Sequence, residues 1–220
     1  MSPRIIAVVN QKGGVGKSTV TMGMAAVCAE TSRTLVVDID PQGSVTFWSD
    51  QAGDNLPFDT TSDLDPKNLA RLRELPYDVV FVDTPGSLEN EHILNPVLDE
   101  ADFLILPTEP APLAVPPLLN TVRRLIEPRG VDYRVLINKF DPRTPSDAEE
   151  AAELIDSAGL KRFQTPIRQY KIHSRAPIDG LVVTQYRSSR SDLKAAEDFR
   201  RVAMEMMSYW ANASTNKGGR

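Results

Sequence analysis

The glycine-rich run at residues 11–19, Q-K-G-G-V-G-K-S-T, constrains the fold more than any other part of the sequence. It stands directly after an apolar run of strand length and directly before a helical pattern. Glycines let the backbone turn so that successive N–H groups point inward at the start of a helix, where they can bind phosphate groups. The run therefore predicts a strand, a phosphate-binding loop and a helix, in that order.

The last residues of this run have the chemistry that a nucleoside triphosphate needs. Lys17 is placed to reach the β and γ phosphates, the Ser18 hydroxyl to bind Mg²⁺, and Thr19 to bond the α phosphate. The backbone N–H groups that would face the phosphates belong to Gly13, Gly14, Val15 and Gly16. A chance glycine-rich loop rarely ends in Gly-Lys-Ser between a strand and a helix, so we interpret the run as a nucleotide site.

Apolar runs of strand length recur along the chain with helical segments between them. They lie at residues 5–9, 34–37, 79–82, 103–106 and 133–137. Because these runs are rich in Val and Ile and do not alternate with polar residues, they suit parallel strands that are buried on both faces. We therefore expect a single α/β domain over residues 1–210, with a mostly parallel twisted sheet flanked by helices on both faces.

The helical patterns and the weaker strand patterns complete this prediction. Helices are predicted at residues 17–31, 66–75, 88–100, 114–126, 146–158 and 191–210. Ser146 and Glu149 form a capping-box pattern, and Gly159 follows the end of the same helix. Short strands or edge pieces are predicted at residues 57–60, 163–167 and 181–184. The polar residues 211–220 have nothing to bury, and we expect a disordered tail there.

Composition excludes several classes of protein. The sequence contains no run of about 18 apolar residues, and its start lacks the features of a secretory signal, so a cytoplasmic protein is expected. A single cysteine, Cys28, excludes a disulfide framework and an all-thiolate metal site. Cys28 lies in an apolar run, which predicts a small buried hydrophobic residue.

The net charge of −5 argues weakly against a nucleic-acid partner, but the charges are unevenly distributed. Residues 161–201 hold ten Lys or Arg against four Asp or Glu. Solvated helix faces often have such a composition, so the count by itself leaves nucleic-acid binding open.

The loop departs from the plain P-loop pattern, because Gln11 stands at the first glycine position and Lys12 is added beside it. The run K-G-G-V-G-K-S-T resembles the deviant Walker A loop of the ParA/MinD family. The resemblance implies that Lys12 reaches across a dimer interface to the partner's nucleotide, while Lys17 is the ordinary P-loop lysine. A second cation there would stabilise the charge that develops during phosphoryl transfer.

Two acidic segments extend the resemblance, V-D-I-D-P-Q-G at residues 37–43 and V-F-V-D-T-P-G at residues 80–86. In both, carboxylates follow an apolar strand, at the edge where open α/β sheets bind ligands, and Mg²⁺ would offset the cost of burying them. The resemblance implies that Asp40 orients or activates the attacking water, that Asp83 holds Mg²⁺ through water, and that Asp38 supports this metal network. The alternative is that Asp38 and Asp40 cap the next turn.

The segments L-I-N-K-F at residues 136–140 and T-P-I-R at residues 165–168 also resemble the family. In relatives these places border the adenine, which implies contacts from the Asn138 side chain and from the backbone near Pro166. Asn138, Lys139 and Asp141 also fit the guanine-reading pattern Asn-Lys-x-Asp. The overall match favours ATP over GTP.

The resemblance implies an ATPase that forms a homodimer with ATP and Mg²⁺, binds DNA without sequence preference and hydrolyses ATP. Its cargo would be a plasmid or chromosome that carries a ParB-like adaptor protein, which would place the protein at the nucleoid. The candidate DNA contacts are Arg187, Arg190, Lys194 and Arg201. The chain begins almost at its first strand, so we expect no N-terminal DNA-binding domain.

Several alternatives remain open. A neighbouring hypothesis is a ParA-like ATPase that positions a protein assembly, and a more distant one is a P-loop kinase or ligase for a small molecule. The retained Lys12, Lys17, Asp40 and Asp83 argue against a non-hydrolysing scaffold. The last helix carries an apolar stripe, which we interpret as packing against the sheet and not as membrane binding. The stripe consists of Leu193, Ala196, Phe199, Ala203, Met206 and Trp210.

Overall fold

A computed structural model of the protein describes residues 2–86 and 91–217, with side chains described as far as residue 211. Strands and helices alternate along these ranges. The strands are β1 Arg4–Val8, β2 Thr34–Asp38, β3 Asp59–Ser62, β4 Val79–Asp83, β5 Phe103–Thr108 and β6 Asp132–Ile137. The helices are α1 Lys17–Cys28, α2 Ser44–Ala52, α3 Pro66–Leu69, α4 Glu91–Glu100, α5 Val115–Thr121, α6 Pro145–Ser157, α7 Lys171–Asp179 and α8 Arg190–Lys217.

All neighbouring strands run parallel, in the order β3-β2-β4-β1-β5-β6. The chain builds the sheet outward in both directions from β1, and the crevice at such a switch point is where open α/β sheets bind ligands. The register pairs Asp83 with Val8 on one side and with Asp38 on the other. The carboxyl ends of β1, β2 and β4 therefore lie side by side below the loop that follows β1.

Helices cover both faces of the sheet, as the uniformly apolar strands predict. One core cluster joins Ile6 and Phe81 to α1 and α8, and the other joins Ile5 and Val80 to helices on the opposite face. The close approach of α1 to α8 requires Gly23, because a Cβ there would stand 2.6 Å from the Phe199 ring. The α/β architecture predicted from the sequence is confirmed.

The last helix packs on the sheet with most of its predicted apolar stripe buried, but Leu193 does not belong to the buried face. Phe199 and Met206 are fully buried, whereas the Leu193 side chain is 55% exposed. The backbone of α8 continues to Lys217, so residues 211–217 are helical where the sequence predicts a disordered tail; residues 218–220 lie outside the described part. A packed helix propagates at little cost once its buried turns have formed. No helix in the described ranges is long and apolar enough to cross a membrane.

Two helices were not predicted, and both lie near the carboxyl ends of the strands. The α2 sequence is short and rich in β-branched and aromatic residues, which gives it no strong helical pattern. The α7 sequence contains Pro177, which signals a break. Gly180 ends α7 in the left-handed conformation, and a Cβ at this position would clash with the backbone of Gln51 in α2. Packing between α2 and α7 thus overrides weak local preference.

Several predicted boundaries were wrong. Residues 163–167 form no strand: only single bridges join Arg162 to Val135 and Arg168 to Phe140, and Pro166 lacks the N–H that a ladder needs. Residues 181–184 contain the start of a 3₁₀ turn, Val183–Gln185, and the edge strand predicted at residues 57–60 lies at Asp59–Ser62. The start of the helix predicted at residues 88–100 lies partly outside the described residues.

Four helices, α1, α3, α5 and α6, end or begin elsewhere than predicted. Helix α1 stops at Cys28, which is buried as expected. Helix α3 is short and is followed by a 3₁₀ turn at Leu72–Glu74. Helix α5 continues without a break as a π-helix over Val122–Ile126, so the predicted helical stretch is present with a change of helix type. The predicted Ser146–Glu149 capping box is wrong, because α6 begins at Pro145. The Thr144 hydroxyl there donates to Asp147 Oδ2 at 2.8 Å.

Candidate functional site

The loop between β1 and α1 depends on its glycines for its shape. Gly14 and Gly16 have φ angles of 78° and 91°, in the left-handed region that side chains disfavour. Gly16 also lies against Asn138, so that a Cβ would clash with the side-chain nitrogen of Asn138. The backbone therefore turns tightly into the N-terminus of α1, where unpaired N–H groups attract anions.

Lys17, the first residue of α1, is 8% exposed in spite of its charge. Burial lowers the pKa of Lys17, while the carboxylates of Asp83 and Asp40 oppose that shift. A Cβ on Gly86 would lie 3.1 Å from Lys17 Nζ, so the glycine after β4 leaves room for the ammonium group. An anion bound in the loop would complete the charge balance of this lysine.

Asp83 is fully buried at the end of β4. Its Oδ1 accepts a hydrogen bond from Thr21 Oγ1 at 3.1 Å, but its Oδ2 has no hydrogen-bond partner among the described residues. Burial raises the pKa of Asp83 to about 7; the Ser18 and Thr21 hydroxyls and Lys17 oppose this shift, and Asp38 adds to it.

A buried carboxylate oxygen without a partner destabilises the fold unless a ligand satisfies it. The Ser18 hydroxyl and the open oxygen of Asp83 fit the needs of Mg²⁺, which binds through few protein oxygens together with water and nucleotide phosphates. These residues would hold the metal in the manner predicted.

Asp38 is buried at the end of β2, with protein donors on both oxygens. Its Oδ2 accepts from Thr46 N at 2.8 Å and from Thr46 Oγ1 at 2.9 Å, and its Oδ1 accepts from Asp40 N at 3.1 Å. Asp38 therefore connects the first turn of α2 to the sheet, as expected if it caps the turn that follows β2. Its part in the metal network stays a prediction. Asp40 accepts from Gln42 N at 3.0 Å.

The loop opens into a cleft of about 820 Å³. The cleft is lined by Gly13, Gly14, Gly16, Lys17, Ser18, Thr19, Asp40, Pro41, Gln42, Gly43, Ser44, Phe47, Trp48, Pro85, Gly86 and Pro177. The predicted loop residues 13–19 other than the buried Val15 thus share one cavity with Asp40 and with an apolar wall from α2 and α7. Sequence reasoning missed that wall, and the adjacent aromatic residues Phe47 and Trp48 were its one available signal.

The two predicted adenine contacts lie together, but neither lines this cleft. Asn138 Nδ2 donates to Val15 O at 2.8 Å, and the residue after Pro166, Ile167, donates its N–H to Ile137 O at 2.8 Å. Asn138 thus supports the phosphate loop from the β6 side, and the adenine contacts stay predictions.

The fourth position of the guanine-reading pattern, Asp141, is already engaged in its own turn. Its Oδ1 accepts from Arg143 N at 2.9 Å and from Arg143 Nε at 3.0 Å. The Asp141 carboxylate therefore lacks the free face that reading a guanine edge would need.

Lys12 is held away from the cleft by a residue that the sequence analysis missed. Its Nζ lies 3.3 Å from Glu109 Oε2, at the end of β5. A carboxylate that directly follows an apolar strand was the signal that identified Asp38 and Asp83, and the same signal was present at Glu109.

The candidate DNA contacts lie outside the cleft. Arg187 precedes α8, and Arg190, Lys194 and Arg201 belong to it. Arg201 Nε lies 3.0 Å from Glu197 Oε1, whereas the other three side chains form no ion pair with any described residue. DNA contact by these residues stays a prediction.

Comparison with known proteins connects this site to a family. A model of the CobQ/CobB/MinD/ParA nucleotide binding domain matches residues 6–209. The chain is 42% identical over 209 residues to Maintenance of carboxysome distribution protein A of Gloeobacter kilaueensis, covering 94% of this chain and 96% of the relative. It is 31% identical over 242 residues to the chromosome-partitioning ATPase Soj of Thermus thermophilus, covering 93% and 95%.

A solved structure shares the fold. The septum site-determining protein MinD of Pyrococcus horikoshii, complexed with Mg-ADP, superposes with a TM-score of 0.71 at 21% identity, covering 93% of this chain and 96% of that one. The likeness in fold agrees with the sequence matches and with the deviant loop. This chain belongs to the CobQ/CobB/MinD/ParA nucleotide-binding domain family and is of the ParA/MinD type.

Proposed function

We propose that this protein is an ATP- and Mg²⁺-dependent ATPase of ParA type that positions a protein assembly of the carboxysome kind. The observation that carries the proposal is the cleft of the glycine loop with its buried Lys17, together with the unpaired oxygen of Asp83, whose charge acts on Lys17. These groups offer complementary charges to a metal-bound triphosphate. The cargo is inferred from the 42% identity, over nearly the whole of both chains, to a protein named for carboxysome distribution.

Different residues of the site bind different parts of the metal-bound nucleotide. The backbone N–H groups of Gly13 to Gly16 face the phosphates, and Lys17 pairs with the β and γ phosphates. Ser18 and Asp83 would hold Mg²⁺, the Ser18 hydroxyl and the unpaired Asp83 oxygen supplying the hard oxygen donors that this ion prefers. Thr21 keeps Asp83 in place through its hydrogen bond. When bound, Mg²⁺ neutralises charge on the phosphates.

Hydrolysis needs a positioned water and additional positive charge. Asp40 lines the cleft in front of Lys17 and accepts the proton of the attacking water or orients it. Lys12 comes from the other copy of a homodimer and stabilises the charge that develops on the phosphates. Because Lys12 of each subunit is held away from that subunit's own cleft, hydrolysis depends on dimerisation.

The inferred cargo differs from our first expectation, a plasmid or chromosome with a ParB-like adaptor. The similarity to a carboxysome distribution protein favours the alternative of a protein assembly. Chromosome or plasmid partition remains the second candidate, because the chain is also 31% identical to Soj. In both cases the ATP-bound dimer holds non-specific DNA of the nucleoid through exposed cations. An adaptor protein on the cargo stimulates hydrolysis.

The ATPase rate with and without non-specific DNA tests the biochemical part. We expect slow hydrolysis that rises with DNA and adaptor, and salt-sensitive DNA retention that requires ATP and Mg²⁺. Retention that is equal with and without nucleotide would contradict the switch. Turnover that requires a small metabolite would favour a kinase or ligase.

Deletion of the gene in its host tests the cargo. The proposal predicts that shell-bounded assemblies cluster or are inherited unevenly, while plasmids and chromosomes segregate normally. The opposite outcome would favour the partition candidate.

A further inference from the structure

Glu109, the residue after β5, lies between two lysines of the nucleotide loop region. Its Oε2 is 3.3 Å from Lys12 Nζ, and its Oε1 is 3.4 Å from Lys139 Nζ. All three side chains are between one third and two fifths exposed. Each carboxylate oxygen therefore pairs with one ammonium group, beside the phosphate loop.

Lys139 is fixed more firmly than Lys12. Its φ angle is 59°, which no other non-glycine residue in the described ranges shows on the positive side. Its ammonium group also donates to the carbonyl of Gly14 in the phosphate loop. A non-glycine residue in this conformation persists only where its surroundings hold it, so Lys139 is a firm anchor for Glu109.

The backbone of Lys12 is bound to the same end of β5. Lys12 N donates to Asn10 Oδ1 at 2.9 Å, and Asn10 Nδ2 donates to Pro107 O at 2.7 Å. The side chain of Lys12 can leave Glu109 without disturbing these bonds. Only the contact between the two side chains must change for the ammonium group to turn outward.

We propose that Glu109 is a positioning residue for Lys12: it holds the Lys12 ammonium against its own loop until the nucleotide of a second copy takes the carboxylate's place. This rests on the proposed function, in which Lys12 acts across a dimer. A triphosphate carries more negative charge than a carboxylate, so the exchange is favourable only when ATP lies opposite. Lys139 keeps Glu109 paired after Lys12 has left.

The variant Glu109→Gln tests this device, because glutamine keeps the shape and an acceptor for Lys139 but loses the charge that holds Lys12. With a non-hydrolysable ATP analogue, we expect half-maximal dimerisation in analytical ultracentrifugation at a protein concentration roughly two- to fivefold lower than wild type, as for a half-exposed ion pair. ADP affinity of the monomer should stay unchanged, because Lys12 does not contact its own nucleotide. A purely structural role of Glu109 would weaken both.

Two matched variants separate this effect from simpler ones. Glu30→Gln removes the same charge from another partly exposed ion pair, with Arg200, at the far end of α1, and should not shift dimerisation. In a Lys12→Gln background, Glu109→Gln should have no further effect on dimerisation.

The outcomes distinguish the two levels of the proposal. Failure of the wild-type protein to dimerise with the ATP analogue would overturn the proposed function and this inference with it. A wild type that dimerises, together with an unshifted Glu109→Gln or a shift that persists without Lys12, would overturn the role of Glu109 alone.

Discussion

The carboxyl ends of the central strands and the contacts of α8 use buried charge in opposite ways. At the strand ends, Lys17 and Asp83 are both buried, and Asp83 Oδ2 has no hydrogen-bond partner among the described residues. On the α8 side, Asp198 accepts from Arg168 N at 3.1 Å and from Arg168 Nε at 2.9 Å, and Glu205 accepts from the backbone of residues 164 and 165. Both regions desolvate charges, but Asp83 keeps one oxygen unsatisfied, whereas both oxygens of Asp198 and of Glu205 are satisfied within the chain.

This contrast in hydrogen bonding indicates which buried groups require a ligand. A buried polar group without a partner destabilises the fold, and a bound ion or phosphate can offset that cost. A buried ion pair whose hydrogen bonds are all made helps to fix the fold and has no free donor or acceptor for a ligand. We therefore expect substitutions in the cleft to change binding and turnover, and substitutions at the Arg168–Asp198 pair to change stability.

The largest effect is expected at Asp40. Asp40→Ala should leave ATP affinity within about threefold and slow hydrolysis by roughly 10²- to 10⁴-fold, because it removes a general base or water-orienting group but no phosphate ligand. Single-turnover hydrolysis and nucleotide titration measure the two quantities. Asp50→Ala, on the exposed face of α2, is the control. Wild-type turnover in the Asp40 variant would remove this residue from the mechanism.

Lys17→Ala should abolish useful ATP binding. Removing one member of a buried charge pair costs about 2–5 kcal/mol, which corresponds to an affinity loss of roughly 30- to 5,000-fold. Isothermal titration calorimetry with ATP and Mg²⁺ measures this loss, and Lys161→Ala, a substitution in the exposed pair with Asp132, should have no effect on binding. An affinity within threefold of wild type would mean that Lys17 does not face the phosphates.

The Arg168–Asp198 pair should affect stability more than nucleotide affinity. Arg168→Ala leaves the carboxylate of Asp198 buried without its cation, so the free energy of unfolding should fall by about 3 kcal/mol. Arg201→Ala breaks an exposed pair with Glu197 and should cost less than about 1 kcal/mol. Urea unfolding compares the two variants. Equal losses would contradict the distinction between buried and exposed pairs on α8.

Arg187, Arg190 and Lys194, near the start of α8, form no ion pair with any described residue, which leaves their charges available for DNA. Combined substitution of Arg187, Arg190 and Lys194 by Ala should lower the salt dependence of DNA binding, by roughly 0.9 in the log–log slope for each lost phosphate contact. Fluorescence anisotropy with ATP and Mg²⁺ measures this slope. An unchanged slope would mean that these three residues do not contact DNA and that the DNA-binding surface lies elsewhere on the protein.

The smallest effect is expected at His173, an exception on the α8 side, since its Nε2 is buried without a partner among the described residues. Burial lowers the pKa of His173, against the opposing influence of the Arg168 backbone and Asp198. The unfolded chain therefore binds a proton more readily, and the protein should lose stability as pH falls below the ordinary histidine pKa of about 6.5. His173→Gln should lack this part of the pH dependence. Urea titrations across this range test the sign.

Local sequence patterns predicted the sheet and the phosphate loop, because both depend on the types of residues that are neighbours in the chain. An uninterrupted apolar run specifies a buried parallel strand, and the glycines before Lys17 specify a turn that other residues do not adopt. The patterns failed for α2 and α7, where Pro177 and a run of β-branched and aromatic residues oppose a helix. Those helices form because they pack on each other and on the sheet, which a local pattern does not contain.

The sequence by itself determined the fold class, the loop, the buried Cys28 and the carboxylates at the strand ends. Which of these groups already have partners follows only from the folded chain: Thr46 satisfies Asp38, and Glu109, a residue 97 positions away, pairs with Lys12. The physical reason is that charge and backbone preference are properties of one residue and its neighbours. Hydrogen bonding between distant strand ends depends on register and packing, which exist only in the folded chain.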